Sequence, residues 1–120
     1  MYSEYSLSYD TGAAYSRKDM GSTYSQMNAR IYFYLNSTDF DNANNRIGFL
    51  RIIPSSESYL LAMLSIRGTG NYLQLRYLSG AGPTYSEATS TTSLNLSTWY
   101  SIELEVIVGN GTGSVKTYLN

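Results

Sequence analysis

Three groups of residues have the types and spacing to do chemistry. Glu103 and Glu105 stand two apart in the run Trp99-Tyr100-Ser101-Ile102-Glu103-Leu104-Glu105. On a strand they share one face, about 6.5–7 Å apart by strand rise, near the carboxyl separations that cleave glycosidic bonds. A second group, Asp39, Asp41, Asn42 and Asn44, gathers hard oxygens in one polar loop and is the candidate Ca²⁺ site. It is not an EF-hand, which needs an oxygen ligand at Ala43 and a glycine at Asn44. The third group is aromatic. The chain holds 13 tyrosines, and Tyr32, Tyr34 and Tyr77, with Arg76, are the candidate ligand contacts. Aromatic faces stack on the C–H surfaces of sugars, and the phenol adds a hydrogen bond.

Each group also has a plain structural reading. Glu103 and Glu105 can be a solvated strand face, and the Asp39–Asn45 loop an Asx-rich turn. Tyrosine has high strand propensity. Arg30 and Arg76 suit cross-strand cation–π packing as well as ligand contact. The absences narrow the chemistry further. With 0 His and 0 Cys, His-based triads, zinc hydrolase sites and thiolate metal sites are excluded within this chain. A net charge of −1 without a Lys/Arg cluster supplies no electrostatic footprint for nucleic acid or for an anionic membrane surface. No run of 18 apolar residues exists to span a membrane as a helix.

The elements that must position these residues have a period of two. In Asn28–Ser37, Ala29, Ile31, Phe33 and Leu35 share one face and Arg30, Tyr32 and Tyr34 the other. In Trp99–Val108, Tyr100, Ile102, Leu104, Val106 and Val108 alternate with Ser101, Glu103, Glu105 and Ile107. In Asn71–Leu78, Leu73 and Leu75 oppose Gln74 and Arg76. Ile47–Ile53 and Tyr59–Ile66 are more continuously apolar and read as strands covered on both sides. Turn residues punctuate the chain at Pro54–Ser58, Gly68–Asn71, Ser79–Pro83 and Gly109–Gly113, the last containing an Asn-Gly hairpin signal. Tyr5, Leu7 and Tyr9 alternate ahead of a turn at Asp10-Thr11-Gly12, with another strand expected near Ala13–Lys18. The expectation is one all-β domain over residues 1–120, an antiparallel β-sandwich. Charged residues are only 14%, and Ser, Thr, Asn, Gly and Tyr take their place, a mixture poor in helix formers.

The order of several segments carries a resemblance. Ala29-Arg30, Tyr32-Phe33-Tyr34-Leu35, then Leu73, Leu75-Arg76-Tyr77, then Leu94 to Leu104 with its Trp99-Tyr100-Ser101-Ile102-Glu103-Leu104 core, then Val115–Asn120 ending in Tyr-Leu-Asn, together resemble laminin-G-like domains of the concanavalin A-like lectin/glucanase superfamily, in their prokaryotic surface-protein form. The resemblance implies a jelly-roll sandwich, often with calcium at its rim, and Trp99 as a structural anchor. Glucanases of the superfamily carry Glu-x-Asp-x-x-Glu on such a strand. Here the middle acid is Glu105 and the third position is Val108, so the catalytic pattern is incomplete. Family members usually continue past Tyr-Leu-Asn. The stop at Asn120 implies a fragment, or a sheet whose edge a partner chain completes.

The function expected from these readings is a non-catalytic carbohydrate-binding or adhesion module of a secreted or cell-surface protein. Its partner would be a glycan or a cell-surface or matrix protein. The alternatives are a structural subunit that self-associates through open sheet edges and a glycan-cleaving enzyme fragment. Three sequons, at Asn36, Asn95 and Asn110, are compatible with export.

Overall fold

Alternation decides which side chains are enclosed, and in the computed structural model it does so in two antiparallel sheets. The structure describes residues 22, 24–38, 40–54, 59–80, 83–109 and 111–120. They form seven strands: β1 (Gln26–Leu35), β2 (Arg46–Ile52), β3 (Ala62–Arg67), β4 (Tyr72–Leu78), β5 (Tyr85–Ser93), β6 (Thr98–Ile107) and β7 (Ser114–Leu119). The strand order is β1-β6-β7 in one sheet and β2-β3-β4-β5 in the other. The chain is an all-β antiparallel sandwich. The strands expected near Tyr5–Tyr9 and Ala13–Lys18 lie outside the described residues.

The core forms where the two inner faces meet. From the four-stranded sheet come Ile52, Ala62, Leu64, Leu73 and Leu75; from the three-stranded sheet come Ile102, Leu104 and Val106. Leu64, Ile102 and Leu104 are fully enclosed. A second cluster of Leu35, Ile66 and Leu94 extends the interior toward one end, with Phe33, Phe49 and Tyr100 packed on it. The Phe33 ring lies 5.0 Å from Phe49 and 5.6 Å from Tyr100, so one aromatic stack ties β1 and β6 to β2 of the facing sheet. A register shift between Gly48 and Leu50 admits an extra residue into β2, and Phe49 packs on the core there.

Of the two apolar stretches expected to be covered on both sides, β3 is and β2 is not. Every residue from Ala62 to Ile66 is buried, because β3 lies between β2 and β4 and its outer side chains are also covered. β2 is an edge strand among the described residues. Ile47 and Ile53 are more than two-fifths exposed, and Arg46 and Arg51 lie on its outer side. β5, with the sequence YSEATSTTS, has no apolar alternation. It pairs with β4 through its backbone, and its Thr residues suit an exposed strand.

Core packing sets the stability of this arrangement. Leu104→Ala is expected to lower it by about 2–5 kcal/mol, through lost transfer energy and a cavity. A urea titration should show a lower midpoint at an unchanged slope.

Candidate functional site

The pleat that sends Ile102 and Leu104 inward sends Trp99, Ser101, Glu103 and Glu105 outward. The register of β6 with β1 sets Tyr34 opposite Trp99, Tyr32 opposite Ser101 and Arg30 opposite Glu103. Its register with β7 sets Tyr118 opposite Glu103 and Lys116 opposite Glu105. The outer face of the three-stranded sheet therefore carries four large aromatics. Trp99 is 69% exposed, Tyr32 63%, Tyr118 49% and Tyr34 45%. The Tyr34 and Trp99 rings stand 5.4 Å apart at 49°, close enough to brace one another while leaving their faces to solvent. Trp99, expected as a structural anchor, is instead the most exposed of these. Its position directly opposite Tyr34 puts it on the outward side of the pleat, while Tyr100 takes the inward place against Phe33.

The acid pair on this face is matched by cations. Arg30 forms an ion pair with Glu103, and Lys116 Nζ lies 3.2 Å from Glu105 Oε1. Gln26 donates to Glu105 Oε2 at 3.5 Å. Arg30 stays protonated more firmly than usual, first through the Tyr32 hydroxyl and then through Glu103. The Tyr32 phenol is drawn below its ordinary range, first by Arg30 and then by Ser101. Glu105 raises Lys116 in the same way. Each carboxylate thus has its own cation on an open face, an arrangement that orders the side chains between and beside the aromatics.

The remaining expected ligand residues go elsewhere. Arg76 lies on the outer face of the four-stranded sheet, its guanidinium 4.5 Å from the centre of the Tyr85 ring; this is the cross-strand cation–π contact its strand position suggested. Tyr77 is the third tyrosine among the candidate ligand contacts. It is turned inward and packs against the core beside Leu73 and Leu75, with which it shares strand parity. The four residues Tyr32, Tyr34, Arg76 and Tyr77 are therefore split between two outer faces and the interior.

The polar loop is likewise occupied by its own contacts. Asn42 Oδ1 accepts from the Asn44 backbone N–H at 2.9 Å, an Asx turn. Asn44 Oδ1 accepts from Arg67 Nη2 at 2.9 Å. The Arg67 guanidinium holds that oxygen, and Asp41 is the one carboxylate of the group within the described residues. Of the candidate Ca²⁺ oxygens in the described part of this loop, Asn42 Oδ1 and Asn44 Oδ1 each accept a hydrogen bond from within the protein. Asp39 lies outside the described residues. Among the described residues no three His, Cys, Asp or Glu side chains gather as a metal site.

The outer face of the four-stranded sheet holds an arrangement that the linear pattern did not reveal. Arg46 and Arg67 pair across β2 and β3, Met63 lies beside Arg51 and Arg76, and Arg76 faces Glu87 on β5. Four of the six arginines in the chain thus share one face. Arg46 Nη1 reaches Glu87 Oε1 at 2.9 Å, although β2 and β5 are three strand spacings apart, about 14 Å in a flat sheet. The sheet must curve for this contact to form. The pair passes over Ser65 and Gln74, both fully buried. Gln74 Nε2 donates to Glu87 Oε2 at 3.2 Å. Gln74 Oε1 and Arg76 Nε have no hydrogen-bond partner among the described residues.

No protein-family model matches this chain, and no curated protein or solved structure matches it either.

Arg46 holds the Glu87 carboxyl below its ordinary range by a hydrogen bond; desolvation opposes this, and the charges of Arg46, Arg76 and Arg67 reinforce it. A carboxyl lowered in the folded state stabilises the fold above the unfolded pKa, about 4.3. That contribution is lost as pH falls through the lower folded value. Glu87→Gln should therefore flatten the fall in stability below about pH 4.3. Because the pair is about one-third exposed, the cost at neutral pH should stay under about 1 kcal/mol. Urea midpoints measured from pH 7 to pH 3 check both expectations.

Proposed function

We propose that this chain is a non-catalytic carbohydrate-binding module, acting through the outer face of the three-stranded sheet. The observation that carries this reading is the group of four exposed aromatics, Trp99, Tyr32, Tyr34 and Tyr118, on one side of β1, β6 and β7. Water is a poor solvent for this much apolar surface on a single face, and such patches mark contact surfaces. Their rings offer flat apolar area with polar edges, which suits the C–H faces and hydroxyls of sugars. Between and beside them, Arg30, Glu103, Glu105 and Lys116 supply fixed donors and acceptors.

The surface is open rather than cleft-like, so single contacts are weak, and useful affinity comes from repetition along a polymer or within a longer protein. The order of the Tyr-Phe-Tyr-Leu, Trp-Tyr-Ser-Ile-Glu-Leu and Tyr-Leu-Asn segments, similar to laminin-G-like domains, supports a place outside the cell or on its surface. Binding without turnover is favoured because Glu103 and Glu105 each face a cation on an exposed sheet, where neither is set up as an acid–base pair around a bound sugar.

A glycan array followed by calorimetry on the best binders tests this. Trp99→Ala and Tyr34→Ala are each expected to weaken binding tenfold or more, a loss of about 1.4 kcal/mol. Folding stability should stay within roughly 0.5 kcal/mol, because both rings are exposed. No sugar release is expected from the chain; release that the Glu103→Gln/Glu105→Gln double variant abolishes would favour the glycan-cleaving alternative. Retention of full glycan affinity in both aromatic variants would reject the assignment of this face.

A further inference from the structure

The β3–β4 turn closes one end of the arginine-bearing face and leaves a recess of about 190 Å³ lined by Arg67, Thr69, Gly70, Tyr72 and Thr89, with Ala43 at its rim. At roughly 30 Å³ per water it has room for about six waters, the scale of one small ring rather than of an extended ligand. Its walls are built firmly. Gly68 and Asn71 both take positive φ, 69° and 53°, and the Asn71 N–H donates to the Gly68 carbonyl at 3.0 Å. A Cβ on Gly70 would lie 2.3 Å from Tyr72 Cε2, so the Tyr72 ring leans on the bare glycine backbone. That ring is 39% exposed.

Arg67 is the charged group of the recess. Its Nε donates to the Ala43 carbonyl at 3.1 Å and its Nη2 to Asn44 Oδ1 at 2.9 Å. Both acceptors are neutral, and Arg67 forms no ion pair among the described residues. These bonds use two of the five guanidinium N–H groups and hold the planar fork in place, leaving three donors. Arg46 and Arg76 lie on the same face, and Glu87 is the one carboxylate that engages them there among the described residues. Among the described residues of this face the arginines thus outnumber the carboxylate that engages them.

We propose that this recess binds a single carboxylated sugar ring. The carboxylate meets the open donors of Arg67, the ring's C–H face lies on Tyr72, and the Thr69 and Thr89 hydroxyls take the ring hydroxyls. A neutral sugar forgoes the charge-assisted bond, and a simple carboxylate forgoes the aromatic wall. This site is on the opposite sheet from the aromatic face and stands or falls independently of it.

The test uses the intact chain at matched ionic strength. Glucuronate, glucose and acetate are titrated separately while the backbone amide signals of Gly68, Thr69 and Gly70 are followed by NMR. Glucuronate is expected to shift these amides at a concentration at least tenfold below glucose or acetate, with affinity falling as salt is raised. Arg67→Gln should weaken glucuronate tenfold or more, and Thr89→Val and Tyr72→Leu by several-fold each. Because Arg67 also ties down the 41–45 loop, Thr89→Val and Tyr72→Leu keep the test valid if Arg67→Gln fails to fold. Equal responses to glucose and glucuronate, or to acetate and glucuronate, overturn the proposal. So does undiminished glucuronate binding in both Thr89→Val and Tyr72→Leu.

Discussion

The packing of Ile102, Leu104 and Val106 against Leu64, Leu73 and Leu75 governs the rest of the molecule. Each of these side chains alternates along its strand with one that must point the other way. Once the six are enclosed between the sheets, the outward set is decided without further choice: Trp99, Ser101, Glu103 and Glu105 on one side, Gln74, Arg76 and Ser65 on the other. A slip of one residue in β6 would bury Glu103 and Glu105 and expose Ile102 and Leu104. The charge desolvation and the lost apolar burial both oppose it.

The two outer faces use that fixed placement differently. On the three-stranded sheet the ion pairs join neighbouring strands, Arg30 to Glu103 and Glu105 to Lys116, and the aromatics stand exposed beside them. On the four-stranded sheet Arg46 crosses over the two central strands to Glu87, and this closes the middle of the face over Ser65 and Gln74. The first face leaves its rings exposed. The second is curved, charged and closed at its centre, with open volume at the turn between β3 and β4.

The turn shows how backbone geometry and side-chain chemistry meet. Glycine at position 68 adopts a positive φ while Ala43 O would lie 3.0 Å from any Cβ there, so the loop and the turn approach as closely as they do because no side chain intervenes. Arg67 then spans the same gap by hydrogen bonds to Ala43 and Asn44. One of the loop's candidate metal oxygens, Asn44 Oδ1, is drawn into this contact.

The sequence by itself determined the strand faces of β1 and β6 and the inward place of Leu73 and Leu75 on β4, because an alternating pattern has one way to hide its apolar half. It also determined the turns at Gly68–Asn71 and at Gly111, where positive φ needs residues that tolerate it. It showed Tyr32 and Tyr34 as outward aromatics. It did not show β5, whose Ser/Thr run carries no apolar period. It did not show that Trp99 is exposed, because a strand-opening Trp can fall on either side until register is known. Tyr77 shares the parity of Leu73 and Leu75 and packs inward with them, although its hydroxyl would also suit an outer face. Tertiary structure alone decided that Arg46 meets Glu87, 41 residues along the chain, and that Arg67 lies against the 41–45 loop. Those contacts depend on strand order and sheet curvature, and neither leaves a period in the sequence.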